Sequence, residues 1–127
     1  MTTSDTEALS RLGQAAEHVR AVVHLRPAWA DPASLYDAAG LLDELTRTLH
    51  AAIGHGTRSC TRLASCTDLR ADDPGEPANP AALAHSAALA LDTAGQAIQA
   101  ANTEISAAHG HLSRLYLHTR TDDGRTV

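Results

Sequence analysis

Residues 80–115 read PAALAHSAALALDTAGQAIQAANTEISAAHGHLSRL, and this stretch decides the fold. Asn79-Pro80 opens it as a helix, since an Asn side chain accepts from an early helical amide and Pro suits the first helical position. Apolar residues then recur at Leu83, Ala87, Ala90, Ala94, Ala97 or Ile98, Ala101, Ile105, Ala108, Leu112 and Leu115, the three-four spacing of one helical face. The pattern predicts a helix over 80–118, about 55 Å long at 1.5 Å per residue. Between Pro77 and Ser113 the only formally charged residues are Asp92 and Glu104, and Ala82, Ala84, Ala88, Ala100, Leu89 and Leu91 lie off the main seam. A helix apolar on more than one side is normally buried on more than one side. A second copy of the chain is the simplest source of that cover, because two-fold dimers are the commonest soluble oligomers. The expectation is a homodimer with this helix central, its interface formed by Ala87, Leu89, Ala90, Leu91, Ala94, Ala97, Ile98, Ala101 and Ile105.

Working outward, Ser4-Asp5-Thr6-Glu7 fits a capping box, and Leu9, Leu12, Ala16, Val19 and Val23 form one seam. They predict a first helix over 4–26, stopped where Pro27 pushes the preceding residue away from the α region. Asp31-Pro32 repeats the signal of a cap followed by Pro and starts a second helix that turns back on the first. Its seam reads Leu35, Ala38, Leu42, Leu45, Leu49 and Ala52, with Asp43, Glu44 and Arg47 assigned to the wet side. Gly54-His55-Gly56 interrupts the pattern, each interior Gly costing about 1 kcal/mol relative to Ala. The helix over 32–69 either continues in weakened form or kinks at 54–56, and the return of the register at Leu63 argues for continuation. Residues 70–79 carry turn formers and acids and read as an exposed loop, while the polar residues 119–127 read as a flexible tail. The fold class is therefore all-α: one domain over 1–127, an antiparallel bundle of three principal helices completed by dimerisation.

Composition supports this reading and removes several function classes. The 127 residues include 26 Ala, 16 Leu and 10 Arg but no Lys and no Phe, and only seven Val and Ile. Ala loses no side-chain entropy in a helix, whereas Val and Ile are the strand formers. A net charge of −5 argues against a general nucleic-acid binder, which displaces phosphate counterions with excess cationic side chains. The longest uncharged run, 77–91, holds two Pro and falls short of the ~20 apolar residues that span a bilayer. Met1 to Leu12 carries Asp5 and Glu7 with no apolar stretch of signal-peptide type. The expected location is the cytoplasm, where Cys60 and Cys66 stay reduced.

Candidate chemistry is sparse. Of the eight His, no two lie three or four apart, the spacing that points two ligands the same way on a helix. Ligands converging from different helices would draw on His50, His55, Cys60 and Cys66; surface and packed structural His are the bland alternative. Cys60 and Cys66 are six apart, point about 120° from each other on a continuous helix, and match no redox or zinc spacing. Arg58 and Arg62, one turn apart, can grip a phosphate or a partner's carboxylate, or simply form a solvated face. No nucleophile elbow, phosphate-cradling Gly loop or paired carboxylates can be recognised, so no enzyme activity and no cofactor are expected.

The segment over 31–45, with Leu35-Tyr36-Asp37 followed by Gly40, Leu41, Leu42 and Leu45, resembles a pattern in small uncharacterised helical proteins of high-GC actinobacteria. That resemblance implies a source and a helical fold; it carries over no activity and no functional residues. The turn at Trp29 is superficially similar to secreted WXG-type helical hairpins, but Trp29-Ala30-Asp31 lacks the Gly. The sequence thus points to a non-enzymatic helical interaction or regulatory module whose partners are itself and another helical protein. A ligand- or metal-binding bundle using the His and Cys of helix 2 is the alternative, and a hairpin effector or nucleic-acid accessory protein a further one.

Overall fold

The computed structural model describes residues 1–72 and 79–118 and contains three helices: α1 over Thr3–Leu25, α2 over Pro32–Ala64 and α3 over Pro80–Leu112. The chain divides into two compact units, 1–30 and 31–127. The first holds α1 and the second holds α2 packed on α3.

Helix α1 begins two residues earlier than the Ser4 box implies. The box closes on Thr2, whose hydroxyl accepts from the Asp5 amide at 3.0 Å while the Asp5 carboxylate accepts from the Thr2 amide. Thr2-x-x-Asp5 has the same chemistry as Ser4-x-x-Glu7, and using it adds half a turn of helix. At the other end Arg26 takes a left-handed conformation, its amide bonded to the Val23 carbonyl, before Pro27. No residue of α1 is buried.

Both caps expected for the longer helices are present. Asp31 accepts from the Ser34 amide at 2.8 Å, and Asn79 from the Ala82 amide at 3.2 Å. Helix α2 runs unbroken through Gly54-His55-Gly56 but ends at Ala64, five residues before the expected Leu69. There the amides of Ser65 and Cys66 turn to carbonyls three residues back, the tightening that closes a helix among poor helix formers. Helix α3 ends at Leu112, six residues short of 118, where the Ser113 hydroxyl takes the Gly110 carbonyl at 2.6 Å. Of the expected loop and tail, residues 73–78 and 119–127 lie outside the described residues. Ala71 is half-buried, lining a depression with Leu63, Leu69, Pro80, Leu83 and Ala84.

The packed faces of α2 and α3 differ from the expected seams by one residue, a rotation of about 100°. On α2 the covered positions include Ala39, Gly40, Asp43, Thr46, His50, Ile53, Thr57, Cys60 and Ala64, with Ala38, Gly54, Gly56 and Ser59 also half-buried, while Leu35, Leu42, Leu45 and Leu49 remain exposed. On α3 they include Ala84, Ala88, Leu91, Gly95, Ile98, Asn102, Ser106 and His109. The cause is local chemistry. Small and hydrogen-bonding residues let the backbones approach and satisfy each other, so the seam is set by contact and not by apolar content alone. Among the described residues only Ala39, Ala88 and Gly95 are buried. As residue numbers rise along α2, those of their neighbours fall along α3: Tyr36 meets His109, Asp43 meets Asn102, Ile53 meets Gly95, and Gly56 meets Leu91.

Gly95 tests this packing. A Cβ there would touch Ile53 Cγ2 at 3.5 Å and His50 Cδ2 at 3.8 Å, ordinary contact distances. Gly95→Ala is therefore expected to stabilise the protein by about 0.5–1 kcal/mol in urea denaturation, through helix propensity. A loss of stability would show that the helices are packed more closely here than described.

Candidate functional site

The densest polar constellation lies across α2 and α3, at a level where sequence reading placed only solvent. Asp43, assigned to the wet side, has a side chain only 15% exposed. Its Oδ1 accepts from Asn102 Nδ2 at 2.9 Å and from the Ser106 hydroxyl. Its Oδ2 accepts from Arg47 one turn on, at 2.5 Å. Asn102 Nδ2 also donates to the Asp43 carbonyl at 2.9 Å and to Thr46 Oγ1 at 2.8 Å. One turn beyond Ser106 and two beyond Asn102, the His109 ring stacks on Tyr36 with centroids 4.2 Å apart. Gly40 leaves room for that ring, since a Cβ at Gly40 would lie 3.0 Å from His109 Nε2.

The electrostatics follow from these contacts. The Ser106 hydroxyl, the Arg47 charge, the Asn102 amide and the nearby His109 ring hold the Asp43 carboxyl below the usual carboxylate range, against the opposing cost of its partial burial. A carboxylate so held is a weak proton acceptor, and Ser106 donates to it directly, with no imidazole between them. The arrangement is therefore a clamp that fixes two helices, lacking the order of groups that activates a serine through a histidine. Among the described residues no half-buried side-chain polar atom that is sealed from solvent lacks a partner, which is the condition for a polar seam to specify one packing.

The residues singled out from sequence are dispersed. His50 is half-buried beside Gly95, His55 is exposed, Cys60 is half-buried, and Cys66 lies beyond the end of α2; both thiols are free. Among the described residues no group of three or more His, Cys, Asp or Glu is placed to hold a metal ion. Arg58 donates to His55 Nδ1 at 3.2 Å and lines a cleft of about 350 Å³ with His50, Gln96 and Gln99, whereas Arg62 turns to the Ser59 hydroxyl at 3.1 Å. The two arginines do not converge. Among the described residues no helix is long and apolar enough to cross a membrane. Of the α3 residues expected at an interface, Leu91, Ala94, Ile98 and Ile105 are half-buried in the single chain, while Ala87, Leu89, Ala90, Ala97 and Ala101 are exposed.

Two measurements probe the clamp. Asn102→Ala leaves Thr46 and Asp43 short of a donor and is expected to cost about 1–3 kcal/mol in chemical denaturation. Because the folded Asp43 carboxyl lies below its unfolded value, its contribution is complete above about pH 4 and is lost as pH falls further. Asp31, held low by its bonds to Ser34, titrates with the same sign. The clamp's share is thus the difference between parent and Asp43→Asn. Their stability gap is expected to be widest at neutral pH and to narrow below pH 4, and a gap independent of pH would contradict the assignment.

Comparison with known proteins adds nothing to this geometry: no family model, no curated protein and no solved structure matches the chain.

Proposed function

We propose that this chain is a non-enzymatic helical interaction module that works in the cytoplasm as a homodimer, with another helical protein as its second class of partner. Helices α2 and α3 form an antiparallel hairpin within a helical bundle that is completed by the second copy. One observation carries the reading. The leucine stripe of α2 is left wet: Leu35, Leu42, Leu45 and Leu49 are 36–42% exposed and Leu63 is 48% exposed, while among the described residues no large side chain is fully buried. Full burial of one leucine is worth about 1.5–3 kcal/mol, so a row of half-exposed leucines is a standing drive to association. The polar clamp between α2 and α3 supports the same reading, because it helps to fix the hairpin's geometry while Leu35, Leu42, Leu45 and Leu49 stay partly exposed beside it.

Light scattering on the purified protein at micromolar concentration is expected to give the dimer mass. Ala90→Glu and Ala101→Glu place a carboxylate without a partner in the α3 face and are expected to weaken association at least about tenfold, or 1.4 kcal/mol. A monomeric parent, or variants as oligomeric and stable as the parent, would overturn the proposal.

A further inference from the structure

Each helix of the hairpin carries a second stripe that starts one residue before the stripe facing its neighbour, about 100° away. On α2 it runs from Leu35 to Leu63, and on α3 from Leu83 to Ala108, in steps of three and four. Both helices are right-handed and run in opposite directions, so turning back by one residue swings the two stripes to the same side. The hairpin thus has an apolar face two helices wide, and its other side carries Glu44, Arg47, Arg58, Asp92, Gln96 and Gln99 together with the exposed Leu89.

We propose, building on the homodimer reading, that this face is closed by the same face of a second copy across a two-fold axis at the hairpin's midpoint. Helix α2 then meets α2 and α3 meets α3, each pair antiparallel, in a four-helix bundle. The register comes from matching large residues to small ones. In an antiparallel pair of identical helices, residues equidistant from the axis share a layer. An axis between residues 50 and 51 sets Leu42 on Ser59, Leu49 on Ala52 and Leu63 on Ala38 of the second copy, and Leu45 beside Gly56 and the Leu91 side chain of its own chain that borders it. Every layer sets one α2 leucine against one small α2 residue, the alternation by which facing helices interdigitate. On α3 an axis between 95 and 96 sets Leu83 on Ala108, Ala90 on Ala101 and Ala94 on Ala97, with Glu104 over Ala87 and its exposed carboxylate at the rim.

These two axis positions come from separate helices, yet they coincide. Residues 50 and 53 abut residue 95 in the hairpin, through His50 and Ile53 against Gly95. One axis serves both pairs. The face from Ala38 to Leu63 is about 38 Å long and, with helices 8–10 Å apart, roughly 700–800 Å² in area, close to the ~800 Å² per partner of a stable complex.

Disulfide trapping in the full chain with Cys60→Ser and Cys66→Ser tests the axis. Residue 97 lies about 4.5 Å along the bundle from its own symmetry mate, and residue 87 about 25 Å. Ala97→Cys is expected to form covalent dimer under mild oxidation, and Ala87→Cys less than a tenth as much. Ala94→Cys, equally near the axis, repeats the test should Ala97→Cys lose the parent's helicity by circular dichroism. Equal trapping at 87 and 97, or no trapping at 94 and 97 in a protein that scatters as a dimer, would overturn this arrangement while leaving the homodimer standing. A monomeric mass would overturn both.

Discussion

Asp43 sits on the face of α2 that meets α3, where little water reaches its carboxylate, so the charge must find donors on the facing helix. Asn102 and Ser106, four residues apart on α3, supply them together, and Thr46 takes the remaining amide hydrogen of Asn102. Donors one turn apart fix the axial register and the rotation of the two helices at once. Sliding α3 by one turn, about 5.4 Å, would leave a carboxylate unmatched in a half-buried seam. The stacking of His109 on Tyr36 and the close passage at Gly40 and Gly95 all presuppose that register.

A seam in which Asp43, Thr46, Asn102 and Ser106 and several small residues take places beside Ile53, Leu91 and Ile98 leaves other apolar side chains outside it. Leu35, Leu42, Leu45 and Leu49 of α2 lie on the stripe beside this seam and stay 36–42% exposed. Two helices joined by polar contacts bury little apolar area of their own, and stability in a domain of this size rests on such area. Under the proposed function, pairing within the chain and association between chains fall on different faces: the seam sets the shape, and the leucine face would supply the driving force for a partner.

The sequence made the helices legible because their signals are local. Asp31-Pro32 and Asn79-Pro80 cap the helices they were expected to cap, Pro27 follows the end of α1, and α2 continues past its two glycines. The ends of α2 and α3 were overextended because apolar residues such as Leu69 and Leu115 keep the helical period beyond the point where Ser65 and Ser113 turn the chain. The leucine stripe was also visible, but its role was misassigned: periodicity counts apolar residues and has no means of recognising that Asp43 finds two donors some sixty residues away. Asp43, Glu44 and Arg47 read as the wet side of α2, and no spacing rule links any of them to Asn102. The polar clamp is a long-range fact, and only the fold discloses it. The candidate set His50, His55, Cys60 and Cys66 shows the converse, since shared residence on one helix does not bring side chains to one point.

The central claim is that a polar seam shapes the hairpin while its apolar face is covered by a second copy. The most direct measurement is the thermal midpoint of the purified chain as its concentration is raised about a hundredfold through the micromolar range. Folding coupled to dimerisation gains free energy by mass action, about 2.7 kcal/mol for a hundredfold excess over Kd, so the midpoint should climb by several degrees. A midpoint that does not move with concentration would mean that the leucine face is not closed by another copy, and would contradict the account.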